Sequence, residues 1–474
     1  MENNVRQGKL PVKVKVGYGI GTVADSIPYT LFFSYFIYYL TDFVGMAPSR
    51  AGIISFVSVL WCAIAGPIVC YISDNSKNPN GRRRPYLFRV IFPFVFIIIL
   101  SFAPFHFTGN GAFVYYIIIG MLFQTCYACW KGPWDALGAE LTDDYTERNN
   151  VRLFIGICAY PALVVASSGT ILMVGMFPES PRIGWFVGAL ICAIVVMIGC
   201  LICWRNTKGY EYFDTAQVEA QKEMSEKVGP VEMIKLYCKI LKGKAYRRLT
   251  IMQFIFTLGY IVLTNGVIYC LTYNAGLSEG IMSIFFVLNA IISLVLTPVI
   301  VGFANKFDKK FSMFVFEGIT VVGFIVFYII GINGFVSAFI FAVCTGFATT
   351  VFYGVMYSLI YDCCDIHELA TGERTEGSIM AISALSQTVA SAVGGLIFGM
   401  LLTFIGYNAA NITPEVIHGI LTLVTLVPAA AMVISLLVLC LYKVNPKRFQ
   451  DVQEALKERR EGKEIDLKEF KDII

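Results

Sequence analysis

The sequence predicts an all-α membrane protein whose twelve transmembrane helices form two six-helix halves. Three observations carry that expectation. The 474 residues are 57% hydrophobic and only 15% charged, which is more apolar surface than the interior of a soluble chain of this length can hide. The apolar residues come in blocks, each close to the ~20 residues that cross a bilayer core. The segments between blocks alternate in charge, basic on one side and nearly free of Lys and Arg on the other.

The blocks lie at 17–43, 50–73, 86–105, 112–140, 152–176, 183–204, 248–274, 280–303, 310–331, 335–361, 376–406 and 413–442. One set of connectors contains SDNSKNPNGRRRPY, TDDYTERNNVR, NKFDKK and DCCDIHELATGERTE, together with the long segment 205–247 and the tail. The other set holds only Arg50 and Arg182 as basic residues. Lys and Arg accumulate on the cytoplasmic side, so the chain is expected in the cytoplasmic membrane with both termini inside.

Segment 205–247 falls after span six and divides the chain into halves 1–204 and 248–442, followed by a tail, 443–474. Within it Val231, Ile234, Cys238 and Leu241 recur at helical spacing while Lys235, Lys239 and Lys242 point away. That pattern predicts an amphipathic helix on the inner membrane surface. The tail reads as helical around Val452–Arg460 and as a solvated extension. Two six-span halves joined by a cytoplasmic linker are the plan of the major facilitator fold, in which the halves rock about a central site.

Fourteen Cys do not make a disulfide framework, because most of them lie inside spans and behave there as small hydrophobes. Cys126 and Cys129 form a C-x-x-C, but the chain has only three His. No metal site and no cofactor are expected. The first 16 residues are polar and basic, so no cleavable signal is expected. The net charge of +4 is small and gives no reason to expect a nucleic-acid partner. The expected partners are a small-molecule solute and the lipid bilayer, with a monomer as the expected state.

Against that apolar background the run WKGPWDALG, residues 130–138, is unusual. Lys131 and Asp135 lie four apart, hence on one helical face. Lys131 stands ~10 residues from the end of its span, roughly 15 Å at helical rise. A charge at that depth costs at least about 2.5 kcal/mol, so it faces a cavity and has a partner. Gly132-Pro133 loosens the helix here, and Trp130 or Trp134 offers a flat face to a ring.

Two connectors read as a gate. In SDNSKNPNGRRRPYLF, Asp74 ends a helix and Arg82, Arg83 and Arg84 follow a polar turn. Their guanidiniums can reach carboxylates or helix C-termini of the other half and so favour an outward-open state. In YDCCDIHELATGERTEG, Asp362, Asp365 and Glu368 share one helical side, and Thr371-Gly372 ends the helix before Arg374.

The acidic run D-x-x-D-x-x-E-x-x-T-G-x-R-x-E-G resembles the mark of the glycoside–pentoside–hexuronide:cation symporters, the family of melibiose permease. YGIGTVADSIPYTLFFSYFIYYLTDFVG (18–45) is similar to that family's first helix, with GPWDAL in span four and SQTVASAVGGLIFG in span eleven as further matches. The resemblance covers essentially the whole chain. It implies that sugar is held between the halves, with Asp25 at the position of a sugar-binding carboxylate. Lys131 stands where relatives carry an acid or an amide. The site it implies comprises Asp25, Lys131, Trp134, Asp135, Gln387 and Thr388, with Arg152 nearer the cytoplasmic end.

The family's sodium users carry two acids on helix two in the frame W-D-x-x-x-D-P, where this chain has Trp61-Cys62-Ala63-Ile64-Ala65-Gly66-Pro67. A thiol and a glycine supply none of the oxygen ligands that sodium needs. The lysine expected after Gln387 is Thr388. Coupling is therefore expected to bypass the usual sodium site, leaving proton coupling through Asp25 or Asp135, or facilitated passage. One proton crossing 100 mV yields about 2.3 kcal/mol, roughly a fifty-fold gradient of a neutral solute. The expected function is a sugar, glycoside or uronide transporter. Its rivals are the same fold with a non-sugar metabolite or organic acid, and a membrane sensor that does not translocate. A membrane enzyme is not expected, because His106, His367 and His418 fall in different segments.

Overall fold

A computed structural model describes residues 9–74, 83–142, 144–210, 230–373, 375–461, 463 and 467–473. Eleven helices among them are long and apolar enough to cross a membrane. These are α2 (Pro48–Asp74), α3 (Arg84–Ser101), α4 (Gly109–Glu140), α5 (145–176), α6 (Pro181–Asn206), α7 (Lys244–Asn274), α8 (Glu279–Phe307), α9 (Lys309–Ile330), α10 (Gly334–Thr371), α11 (Glu376–Phe404) and α12 (Pro414–Cys440). The twelfth, α1 (12–43), is divided into α-helices Val12–Ile20 and Val23–Thr30 and π-turns Leu31–Tyr35 and Tyr39–Phe43, with a short α-helix between the π-turns. Outward positions such as Phe404, Ile329 and Val336 are more than two-thirds exposed, as a lipid-facing surface requires.

The packing of the halves repeats. In the first half α1 packs on α5 and α6, α3 on α4 and α6, and α2 on α4. In the second half α7 packs on α11 and α12, α9 on α10 and α12, and α8 on α10. Each pair recurs six helices later. Between halves, α2 meets α11 and α5 meets α8, two contacts that a two-fold axis exchanges. The sequence shows no such repeat by eye, because packing partners, and not residue identities, carry the symmetry.

The face holding both chain ends and the linker is the terminal face, and the other is the opposite face. At the opposite face the halves are sealed. A Cβ on Gly399 would sit 2.7 Å from Gly52 Cα and 2.5 Å from the Pro48 carbonyl oxygen, so glycine alone allows α2 and α11 this approach. Ser168 and Ser283 pair across α5 and α8 at 2.5 Å. At the terminal face α4 and α10 make no extended contact among the described residues.

Two sequence expectations about the terminal face change. The linker helix runs Pro230–Ile240, but Cys238 is exposed while Ile240 is buried and Leu236 and Tyr237 are half-buried. Ile240 lies in a small cleft with Cys363, Ile366 and Ile379, so the ends of α10 and α11 receive this apolar edge. The side chains of Val231 and Ile234 lie outside the described residues. The tail is docked, where the sequence reading had a solvated extension. Its helix Pro446–Arg460 buries Val452, Ala455 and Leu456, which recur at helical spacing on an otherwise charged surface. Arg459 donates to the Leu369 carbonyl at the end of α10, and Ala245 N–H donates to the Ile473 carbonyl at 3.0 Å.

Candidate functional site

The site starts from the irregularity of α1. At Gly21-Thr22 the α-helical ladder gives way to tighter bonds, Gly21 N–H to Tyr18 O and Thr22 N–H to Gly19 O. Two tryptophans of α4 clasp this point. Trp130 donates to Gly21 O at 3.3 Å and Trp134 to Tyr18 O at 3.3 Å, while Tyr18 returns a bond to Trp134 O at 3.0 Å. The rings of Tyr18 and Trp134 stack at 5.1 Å. With α4 fixed on α1 in this way, the side chain between the tryptophans is aimed across the helix pair.

That side chain is Lys131. Its Nζ lies 2.9 Å from Asp25 Oδ2 and 3.2 Å from Asp135 Oδ1. Tyr127, one turn before Lys131, donates to Asp25 Oδ1 at 2.6 Å. The three charged side chains keep 33%, 25% and 54% exposure for Lys131, Asp25 and Asp135, so the cluster is paired yet reachable. Helix α1 begins at Val12, 13 residues before Asp25, roughly 20 Å along an α-helix. Asp25 therefore lies deep in its span.

One turn further along α1, Tyr29 opens a cavity of about 560 Å³ between the halves. Its wall draws on α1 and α5 from the first half and on α7, α8 and α10 from the second. Hydroxyl and amide groups dominate its polar lining, among them Ser34, Tyr160, Thr264, Asn289, Thr349 and Tyr353. Tyr29 and Tyr353 lie within hydrogen-bonding reach across the halves. π-Turns shape the far end, where Tyr35 donates to Ser167 O at 3.0 Å and so joins the π-turn of α1 to that of α5.

The structure brings Asp25, Lys131 and Asp135 together, and it places the other sequence candidates differently. Trp134 is 1% exposed and presents its face to Lys131 at 5.0 Å, so it supports Lys131 and does not line the cavity. Gln387 reaches Tyr357 at 3.5 Å, and Thr388 bonds back to its own helix at Ala384 O. Neither touches the charged cluster. Arg152 is exposed on α5, one turn before the cavity residue Gly156 and on the same face. Cys62 is half-buried, and the space beside Gly66 is open to 4 Å.

Of the gate residues, Arg83 pairs with Glu140 at 3.2 Å and Arg84 donates to Trp204 O at 2.7 Å, both within the first half. Asp362 pairs with Lys309 at 2.8 Å within the second half. Asp365 and Glu368 follow on α10, half-buried, and Gly372 closes that helix in the left-handed conformation at φ 76°. Asp74 ends α2. Arg82 and Arg374 lie outside the described residues.

Sequence reasoning missed Tyr127, although its spacing of four before Lys131 and eight before Asp135 puts all three on one face. It also quoted the run containing Asp42 without giving that residue a role. Asp42 accepts hydrogen bonds from Tyr273 at 2.5 Å and Tyr407 at 2.7 Å, both in the other half, and Thr41 meets Tyr269 at 2.7 Å. A lone carboxylate in an aromatic run gives no sign of partners 231 and 365 residues away.

A family model described as MFS/sugar transport protein matches residues 17–446. The chain belongs to this family. Among relatives, it is 25% identical over 458 residues to the uncharacterized symporter YjmB of Bacillus subtilis, covering 95% of this chain and 96% of the relative. It is 25% identical over 460 residues to a putative sulfoquinovose importer of Escherichia coli, with 95% of each covered. It is 25% identical over 466 residues to the isoprimeverose transporter of Lactiplantibacillus pentosus, covering 95% and 93%. Among solved structures, a D-xylose–proton symporter superposes with a TM-score of 0.63 at 14% identity, covering 90% of this chain and 97% of that one. Tetrameric PepTSo2 superposes at 0.66 and 13%, covering 91% and 98%. Both likenesses show the fold, the same paired six-helix architecture that the repeated packing displays.

Proposed function

We propose that this family member is a secondary transporter that moves a sugar, glycoside or uronide-like solute by alternating access, with the two halves rocking about the central cavity. The observation that carries the reading is the paired Asp25–Lys131–Asp135 cluster beside a hydroxyl-lined cavity shared by both halves. Polyhydroxylated solutes exchange their water hydrogen bonds for such groups, and a carboxylate accepts two hydroxyls with charge-assisted strength. The printed names of relatives point the same way, since they include a sulfoquinovose importer, an isoprimeverose transporter and a glucuronide carrier homolog.

Asp25, Lys131 and Asp135 are the groups proposed to meet solute, with Tyr127 orienting Asp25. Gln387, Thr388 and Arg152 are proposed to join as the halves close over solute at the terminal face. The basic connectors on that face support a cytoplasmic orientation, under which the conformation with a sealed opposite face is inward-open. Arg83, Arg84 and Asp362 are then gate groups held within their own halves until the terminal face closes, with Asp365 and Glu368 proposed to join them from α10.

Coupling is proposed to bypass helix α2, where Cys62 and Gly66 supply no oxygen ligand. The cluster sets two carboxylates against one ammonium, which suits a neutral solute. An anionic uronide would engage Lys131 once one carboxylate takes up a proton, and that exchange is itself a route to proton symport.

The test is uptake into proteoliposomes of a panel of neutral glycosides, uronides and sulfonated sugars, with sodium and pH gradients imposed separately. The expected result is accumulation of at least one polyhydroxylated solute, driven by the pH gradient or downhill and indifferent to sodium. Uptake of none of the panel, or accumulation that requires sodium, would overturn the reading.

A further inference from the structure

A second cavity, of about 960 Å³, opens on the outer flank of the first half at the terminal face. It is formed by the N-terminal end of α1, the start of α3 and the end of α6, and none of its lining residues faces the solute cavity. Among the described residues its lining carries Lys13, Arg84, Arg89, Arg205 and Lys208 and no carboxylate. Arg84 is anchored, with its guanidinium on the Trp204 carbonyl and over the Trp204 indole at 5.3 Å. The other four cations are exposed and have no carboxylate partner among the described residues. Four exposed positive groups drawn together with no carboxylate partner among the described residues repel one another, and an anion between them relieves that repulsion.

The surface below the cavity says what carries the anion. On α3, Phe88, Phe92 and Phe96 follow at intervals of four, and Phe92 and Phe96 are 54% and 59% exposed. On α6, Ile198, Ile194 and Ile191 descend on the side of Arg205 and are each more than a third exposed. Helices α3 and α6 pack together, so the two apolar stripes run side by side from the basic cavity along the membrane-spanning surface. A soluble phosphate would use the cations alone. A phospholipid uses both parts, headgroup in the cavity and acyl chains on the stripes, with the Trp204 indole at the boundary between them.

We infer that the α1–α3–α6 cavity is a site for the phosphate headgroup of an anionic phospholipid, whose acyl chains lie along the Phe92–Phe96 and Ile198–Ile191 stripes. Bound there, the lipid bridges the start of α3 and the end of α6 and holds the terminal end of the first half together while the halves rock.

The experiment compares retention of phosphatidylglycerol and phosphatidylcholine by the full-length protein in nanodiscs, read by native mass spectrometry. The comparison is repeated for the Arg89→Gln/Arg205→Gln/Lys208→Gln variant and for Lys457→Gln/Lys463→Gln/Lys468→Gln on the tail. Each surface cation contributes a factor of roughly five, so three neutralisations are expected to lower phosphatidylglycerol affinity on the order of a hundredfold. The tail variant and phosphatidylcholine binding should be unchanged. An equal melting temperature in pure phosphatidylcholine shows that the triple variant is folded, and single Arg89→Gln, with roughly a fivefold loss, serves if it is not. Equal retention of both lipids by the wild type would overturn the inference, as would undiminished phosphatidylglycerol binding by the variants. Displacement of the lipid by equimolar glycerol 3-phosphate would also overturn it, by assigning the cavity to a soluble phosphate.

Discussion

Asp42 of the first half accepts the Tyr273 hydroxyl of the second at 2.5 Å, and Tyr407 donates to the same oxygen at 2.7 Å. The two tyrosines are themselves 3.1 Å apart, so one carboxylate gathers the end of α7 and the segment after α11 at the opposite face. Hydrogen bonds to a charged group are each worth about 1.5–3 kcal/mol. Replacement by Asp42→Asn, or by Tyr273→Phe with Tyr407→Phe, should shift the conformational equilibrium toward opening of the opposite face by roughly tenfold or more. Spin-label distances between the opposite-face ends of α1 and α7 would show a new long component. An unchanged distance distribution would mean that Asp42 does not hold the halves together.

Gly52 and Gly399 make a steric counterpart to that latch. Any side chain at Gly399 meets the Pro48 carbonyl and Gly52, both of them backbone that cannot swing aside. Gly399→Val should therefore bar full closure of α2 on α11, at about 1–3 kcal/mol, and favour the conformer open at the opposite face. Gly66→Val, placed where no atom lies within 4 Å, is the matched control and should leave the distances alone.

The charged cluster makes the sharpest prediction about transport. Removing Lys131 leaves Asp25 and Asp135 facing each other without their shared cation. Lys131→Ala should cut uptake at least tenfold or redirect it to another solute while the protein still inserts and folds. Tyr127→Phe removes only the bond to Asp25 Oδ1, worth about 1.5–3 kcal/mol because its acceptor is charged. It should weaken solute binding roughly tenfold, and less than Lys131→Ala does. Equal uptake by Lys131→Ala across the panel would remove this residue from the site.

Much of this was legible in the chain, and the reasons differ by residue. Spans and halves were visible because a bilayer needs ~20 apolar residues per crossing, and the boundaries of α9 were placed within one residue. Lys131 and Asp135 announced themselves because charge in an apolar run is rare. Asp25 entered the site only through the family resemblance, and its pairing with Lys131 carries no local mark, since the two residues are 106 apart and no spacing rule joins them. The interruptions of α1 were not legible, because π-turns arise from packing at the half–half contact and leave no mark in hydropathy. The docked tail was missed for a related reason. Val452, Ala455 and Leu456 are few among many charges, and only the groove at the end of α10 gives them somewhere to go.

Glu147 provides a test governed by pH. It lies just before the membrane-spanning part of α5, accepts Lys15 at 2.7 Å and the Leu10 N–H at 3.1 Å, and so ties the start of the chain to α5. The bond from Lys15 holds its carboxyl below the usual glutamate value. A lowered folded-state pKa means that the contribution to stability is fully present above the unfolded value of about 4.3 and is lost as pH falls through the folded one. Hydrogen exchange over residues 9–15 should therefore stay slow from pH 8 down to about 5 and speed up as Glu147 takes its proton at lower pH, after correction for intrinsic exchange. Glu147→Gln should show the fast exchange already at neutral pH and little further change on acidification. A wild-type profile that matched Glu147→Gln throughout would dissociate this carboxylate from the docking of the N-terminal segment.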